Sequence, residues 1–583
     1  MLLTANEYIS LPEIRDDALV LSMNFLSMRH KGMLEVLGRE GLVSWRIMVD
    51  GTEVPLSGSL ENFWIPTFRF SAGGLSGRLE YIAALGHRAL CMALSMGNAS
   101  SSAMEVDLHM LFDACRVMHT VNESKKIDLE RRIGLSSWSS MPLFGFFDPY
   151  PAFSIALYGK EPEAWSFDDE GRSVFHDSII VGAGEEKVVE LFIGLGFEEV
   201  AAVTSCRECE RWGVDHLRSE LMGYIARVGV ACEDDRLKRT INRNLLFCLF
   251  FSTGITLDTE ELVSVTSRSP RYYVSAAYWD RDALLWAFPA ICLADGSKAR
   301  RLLMYAATRQ AANVGTHSRY IDGTVLEPGF ELDELVSPVI AIGEYIDRTC
   351  DVSILDEPDV RRLVAVILER LEAWHDADTG LYATFLQPTD DMTRFRFLTY
   401  DNVLVWKALT LLSSWDFAGK GTSFASMADD LKRAIDGQCV HEVDGLDQFV
   451  WAVDGRGGHE VYDEPPGSLV LLPALGFCNT DDRVYVNTLH RIMDPSYEYS
   501  FIGHRFAAIG CAHAPHPWVL SMANSIRALK DEAMVRRLCD APLDDGIVCE
   551  SIDEDTGVVT SGNAFATAAG YVVASLVSFL EEE

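Results

Sequence analysis

The amino-acid sequence predicts an antiparallel β-sandwich over residues 1–209, followed by an all-α toroid of paired helices over residues 210–583. Three observations predict it. At 583 residues the chain exceeds the size at which one hydrophobic core keeps growing, so it should divide. Up to about residue 205 apolar residues alternate with polar ones, the period of half-buried strands. Beyond about residue 210 they recur every three or four positions, the period of helices packed on one face.

The run Leu42–Val49, then Asp50-Gly51, then Thr52–Leu56 reads as a hairpin, because the Asp-Gly pair suits the positive φ of a tight turn. Met104, Val106, Leu108 and Met110 alternate with polar residues. The run from Val188 to Phe197 reads as a more fully buried strand. Further on, Leu237, Ile241, Leu245 and Leu249 form a stripe at four-residue intervals. Leu335, Val339, Ile342 and Ile346 form another, and Val364, Ile367, Leu371 and Trp374 a third. A last helix near Ala564–Leu580 buries Ala569, Val572, Val573, Leu576 and Leu580. No short sequence repeat is visible, but a ring of helical hairpins does not require one.

Composition narrows the function. With 48% apolar and 23% charged residues the chain is ordinary globular protein. A formal net charge of −36 argues against a surface that neutralises phosphates, since nucleic-acid binding needs clustered Lys and Arg. No apolar run approaches the length of a membrane span; the longest, near Leu245–Phe251, is too short. The N-terminus shows no basic region followed by an apolar one, so no secretory signal is expected. The 13 cysteines follow no framework pattern, which fits a reducing cytoplasm. Cys206 and Cys209 form a lone C-x-x-C, read as structural because no second pair supplies metal-ligand spacing.

The loops between helices are dense in polar and aromatic groups. Tyr278-Trp279-Asp280-Arg281-Asp282 opens a helix; its rings could stack on a sugar while its acids accept hydroxyl protons, although Asp282 could also serve as a cap. Glu331, Asp333 and Glu334 lead another helix, where the dipole alone would favour acids. Asp390 and Asp391 are adjacent and repel each other, which favours a partner or a held proton, as a general acid requires. Asp463-Glu464-Pro465-Pro466 and the His513 to His516 segment follow, with the histidines open to a positioning or a structural role. Glu550 precedes the last helix; in a closed ring the first and last helices are neighbours, so distant loops meet at one mouth. Two carboxylates about 6.5–9.5 Å apart leave room for a water in inverting glycoside hydrolysis.

In order, the segments WDRDALLWAFPA, FELDELVSPVIAIGEYI, FLQPTDD, YDNVLVWKAL, VDGRGGHEVYDEPPGSLVLLPALG, IGCAHAPHPW and CES resemble glycoside hydrolase family 125, the metal-independent exo-α-1,6-mannosidases. The resemblance covers about residues 272–580. It implies an (α/α)6 barrel that removes terminal α-linked sugars with inversion and without a metal or other cofactor. It places the general acid on Asp390 or Asp391 and the general base on Glu550, and passes sugar contacts to Trp279, Arg281, Asp282, Asp333, Asp463 and His513. The chain departs from the family at Gln387, where Arg is usual, at Cys549, where His is usual, at Asp463–Pro466 and at Ala514-Pro515. Its β-region is larger and more like that of debranching-type enzymes.

The expected activity is hydrolysis of a terminal α-glycoside, mannose first and glucose second, on an oligosaccharide or glycoside, with neither nucleic acid nor membrane as partner. A glycoside phosphorylase on the same ring and a non-catalytic carbohydrate-binding protein are the competing expectations. The first needs basic groups near the base position, and the second would have lost a carboxylate.

Overall fold

The computed structural model describes residues 2–581. Two layers of antiparallel sheet form the N-terminal part. One is eight-stranded, ordered Glu130–Leu135, Pro142–Asp148, Tyr150–Gly159, Glu186–Gly196, Ala89–Asn98, Leu75–Ala83, Ile65–Ala72 and Ser57–Glu61. The facing layer consists of a six-stranded and a five-stranded sheet, linked where Val20 bridges Ile14 on one side and Val43 on the other. Phe25 against Phe153 and Phe112 against Phe144, with centroids 4.9 and 5.1 Å apart, close the layers face to face.

The local readings hold. Val43–Val49 turns back onto Thr52–Glu53 through Asp50 and Gly51, whose φ values of 47° and 77° are those of a two-residue hairpin turn. Met104–Phe112 buries every second residue, and Glu186–Gly196 buries its whole second half.

Thirteen α-helices follow among the described residues: α1 Glu199–Trp212, α2 Val214–Val228, α3 Asp235–Phe251, α4 Phe288–Ala294, α5 Gly296–Tyr305, α6 Leu332–Thr349, α7 Pro358–Trp374, α8 Thr399–Ser414, α9 Gly421–Gln438, α10 Arg483–Ile492, α11 Val519–Leu529, α12 Glu532–Asp540 and α13 Ala566–Leu580. Helix α1 lies on the eight-stranded sheet: Gly194 and Gly196 lack the Cβ that would meet its backbone at 2.3 Å. The change of period therefore begins at Glu199, and the expected division at 209/210 falls inside α1.

From α3 onward the chain builds a double ring. Helices α3, α5, α7, α9, α10 and α12 lie outside; each is buried along one stripe except α3, which is buried all round from Asn244 to Phe251. The inner ring runs α4, α6, α8, the short turns Pro465–Gly467 and Leu469–Leu471, α11 and α13; α13 packs back on α4 and closes it. Inner helices are buried all round near their N-terminal ends, which converge on one mouth. Pro465 and Pro466 cannot supply helical N–H donors, so the fourth inner position is made of tight turns. Gly467 lets those turns touch Tyr400 of α8 and Pro388. No helix among the described residues is long and apolar enough to cross a membrane.

Candidate active site

The inner helix that ends in α4 begins seven residues earlier, as a π-helical segment, Arg281–Ala287. A helix start leaves N–H groups unpaired. Here Glu334 of α6 accepts from the backbone N–H of both Asp280 and Arg281, the latter at 2.9 Å. Asp280 in turn accepts the Tyr278 hydroxyl at 2.9 Å and pairs with buried Arg319.

Arg281 is the hub of the floor. Its Nη1 donates to Glu331 at 2.6 Å and Asp333 at 2.9 Å, and its Nη2 to Asp390 at 2.6 Å. The side chain is only 2% exposed, so these carboxylates hold the charge that burial would otherwise forbid. Although burial opposes it, Asp333, Glu331 and Asp390 keep this guanidinium firmly protonated. His317 Nδ1 meets Glu331 at 2.5 Å and lies 3.7 Å from Asp390. Burial would lower its pKa, but the Glu331 bond and the Asp390 charge outweigh that and raise it. His317, Glu331 and Asp390 could together face a metal ion, their ligand atoms lying within 4.8 Å of one another. Arg281 already places a cation against two of them, however, and a metal would have to displace it.

Asp390 and Asp391 sit at the tip of a hairpin. Leu386 bridges Met392, Gln387 N donates to Asp391 O at 2.9 Å, and Asp390 N donates to Gln387 O at 2.8 Å. Asp390 adopts φ 70°, a left-handed conformation uncommon outside glycine. The turn sends the two carboxylates apart: Asp390 inward to Arg281, Asp391 outward to His513 Nδ1 at 3.1 Å. Their side chains are 40% and 53% exposed, open to a ligand as floor residues are not.

Glu550 is buried, in the segment just before Ser551–Ile552. One carboxylate oxygen accepts the Tyr273 hydroxyl at 2.7 Å and the other the Ser561 hydroxyl at 3.1 Å. Burial pushes its pKa up; the Tyr273 bond, His513 and Ser561 oppose this, and the Asp390 charge adds to it. Glu550, Asp390 and His513 therefore share one electrostatic environment, and Tyr273, half-exposed, feels both acids.

The structure brings Arg281, Asp333 and Asp390 into one cluster and sets Asp282, Glu550 and His513 around it. Asp282 accepts Thr567 Oγ1 at 2.6 Å from α13, and burial lifts it to about 7. Trp279 is buried against Val121 of the β-sandwich and lies edge-on to His317 at 5.6 Å; its indole N–H finds no acceptor among the described residues. Asp463 is not brought in: its carboxylate accepts from Ser468 Oγ at 2.7 Å and Leu469 N at 2.8 Å, capping the inner turns. Its neighbour Glu464 faces the hairpin instead, accepting from Thr389 N at 3.1 Å and Gln387 Nε2 at 2.9 Å. Burial drives Glu464 well above the usual carboxylate range, so a neutral amide at 387 suits a neutral acid.

Sequence reasoning did not select Tyr273, His317, Asp401 or Glu464 as site residues. Both oxygens of buried Asp401 lack a hydrogen-bond partner among the described residues, and burial with the nearby Asp333 charge raises its pKa well above the usual range. The YDN segment at the start of α8 was a signal for Asp401; nothing local marks Tyr273.

Residues 373–574 match the family model for metal-independent alpha-mannosidase (GH125). No curated protein sequence matches the chain. Among solved structures, a Streptococcus pneumoniae metal-independent alpha mannosidase in a non-productive complex with alpha-1,6-mannobiose is similar with TM-score 0.54 and 18% identity, over 64% of this chain and 99% of that one. A bacterial glucoamylase complexed with acarbose is similar with TM-score 0.62 and 13% identity, over 99% of this chain and 94% of that one. At these identities the two structures establish a shared fold alone, the glucoamylase over nearly the whole chain and the mannosidase over 64% of it.

Proposed function

We propose that this chain, a glycoside hydrolase of the metal-independent α-mannosidase type over residues 373–574, removes a terminal α-linked sugar with inversion. One observation carries the reading: Glu550, buried and held by two hydroxyls, sits at the start of the inner helix α11, and exposed Asp390 is turned onto Arg281 at the start of the inner segment that leads into α4. Asp390 is preferred over Asp391 as the acid because it points inward to Arg281 on the floor, whereas Asp391 points outward to His513.

In this mechanism Asp390, having taken up a proton before the step, gives it to the glycosidic oxygen as the bond from that oxygen to the anomeric carbon breaks. Glu550 takes a proton from a water that attacks the anomeric carbon from the opposite face. The anomer inverts, and the two carboxyl groups exchange protonation state before the next turnover. Arg281, Asp333 and Glu331 fix the hairpin, and Asp282 with His513 faces the sugar. Mannose is the first expectation for that sugar and glucose the second.

Proton NMR of the sugar first released from p-nitrophenyl α-mannoside should show the β-anomer. Glu550→Gln should lower kcat by about 10²–10⁴-fold without loss of fold. Release of the α-anomer, or full activity in that variant, would reject the mechanism.

A further inference from the structure

The hairpin that carries Asp390 and Asp391 has a second face. Beside its tip runs a groove of about 470 Å³, walled by Phe385, Met392 and Arg394 on the hairpin, by Arg396, and by the 454–456 turn. Phe385 is 49% exposed and Met392 71%, both large for apolar residues left open to solvent. Arg394 lies over the Phe395 ring at 5.3 Å and Arg396 over the Phe397 ring at 4.7 Å. Phe397 is itself buried, so what these pairs offer the groove is their flat guanidinium groups, beside the exposed ring of Phe385.

The cations are only partly answered. Arg396 reaches Asp376 at 3.1 Å, but Arg394 has Glu460 no nearer than 4.0 Å. Asp454 directs one oxygen to its own turn, accepting from Arg456 N at 2.7 Å and Gly458 N at 2.8 Å. In a chain of net charge −36, exposed arginines gathered beside open aromatic surface call for a ligand that offers both apolar faces and acceptor hydroxyls. Sugar rings have that character, and the groove begins one residue from Asp391.

We propose that this groove binds the leaving-group side of the substrate, an oligosaccharide extending beyond the sugar that is removed. The inference rests on the hydrolase reading, and it makes the natural substrate an extended glycan. Phe385 stacks on a ring, and Arg394 with Arg456 donates to hydroxyls. Because the wall and the acid share one hairpin, a chain seated there is guided toward the site.

The test compares p-nitrophenyl α-mannoside, which is too short to reach the groove, with a linear α-mannotetraose. In Phe385→Ala and in Arg394→Ala, kcat/KM for the tetraose should fall about tenfold, mainly through KM, while the aryl glycoside stays within twofold of wild type. Unchanged tetraose kinetics, or a parallel fall on both substrates, overturns the proposal. If wild type cleaves neither these compounds nor p-nitrophenyl α-glucoside and a linear α-glucotetraose, the hydrolase reading fails instead. Calorimetric titration of the tetraose into wild type and Phe385→Ala then still reads the groove: weaker binding in the variant supports it, and equal binding or none in either protein rejects it.

Discussion

Glu550 accepts hydroxyl protons on both oxygens, and each hydroxyl does a separable job. Ser561 lies on the strand next to it, whereas Tyr273 reaches it from a sequence distance of 277 residues. A hydrogen bond to the charged form of a carboxyl lowers its pKa, and Tyr273 is the largest influence opposing burial at this residue. A general base works deprotonated, so activity is lost as pH falls through its pKa. That pKa lies above the ordinary carboxylate value of 4.5. Tyr273→Phe removes one bond and leaves the ring, so the acidic limb of kcat should move to higher pH, with kcat reduced about tenfold at its optimum. A substitution that merely loosened packing would lower kcat without moving that limb. An unmoved limb in a plot of kcat against pH would therefore exclude Tyr273 from holding the base.

The elements that place these groups are small, and they were legible to different degrees. The Asp50-Gly51 turn, the alternation over Met104–Phe112 and the stripe on α3 were readable because one residue type or one period decides each. The apolar run after Pro466, ending at Pro473–Gly476, reads as a buried helix, but the fourth inner position is made of tight turns, because Pro465 and Pro466 supply no helical N–H donors. Asp463 and Glu464 show a related difficulty: successive residues of an extended segment point to opposite sides, so the acid that faces the hairpin is the one beside the residue selected. Arg281 was visible as a motif member, but its role as a floor ion pair depends on Glu331, Asp333 and Asp390, brought together only by the closed ring. The segment after Glu550 offers an element-scale prediction. Gly562 has φ 62°, and a Cβ there would stand 2.4 Å from Glu550 Cβ and 2.8 Å from its Oε2. Gly562→Ala should therefore displace the base and lower kcat at least a hundredfold, while the far-UV circular dichroism stays native. Near-normal turnover in Gly562→Ala would mean that Glu550 need not be held in this position.

At the scale of the whole molecule the β-sandwich is part of the barrel's construction. Lys31 bonds Asp322 and Thr324 at 2.9 Å, bracing the hairpin that carries His317, and Val121 backs Trp279. The central tie is Arg268, fully buried, whose Nη1 donates to Asn6 O at 2.7 Å, Phe250 O at 2.8 Å and Thr253 O at 3.3 Å. Its own carbonyl accepts from Ser10 and Asn24 of the sandwich. Burial lowers its pKa to about 9, so it is still charged at neutral pH, and removing it leaves buried carbonyls unpaired. Each unpaired carbonyl costs about 1–3 kcal/mol. Lys31 differs in that its side chain is 42% exposed, and an exposed ion pair contributes about 1 kcal/mol at most. Arg268→Met should therefore lower the melting temperature by several degrees and divide the calorimetric transition in two, because it cuts the contact through which the two parts melt together. Lys31→Ala should leave a single transition within about a degree of wild type. If Arg268→Met melts as wild type does, the carbonyls it serves have found other donors, and the coupling between sandwich and barrel lies in their apolar contact, chiefly Trp64 stacked on Phe250 at 5.5 Å.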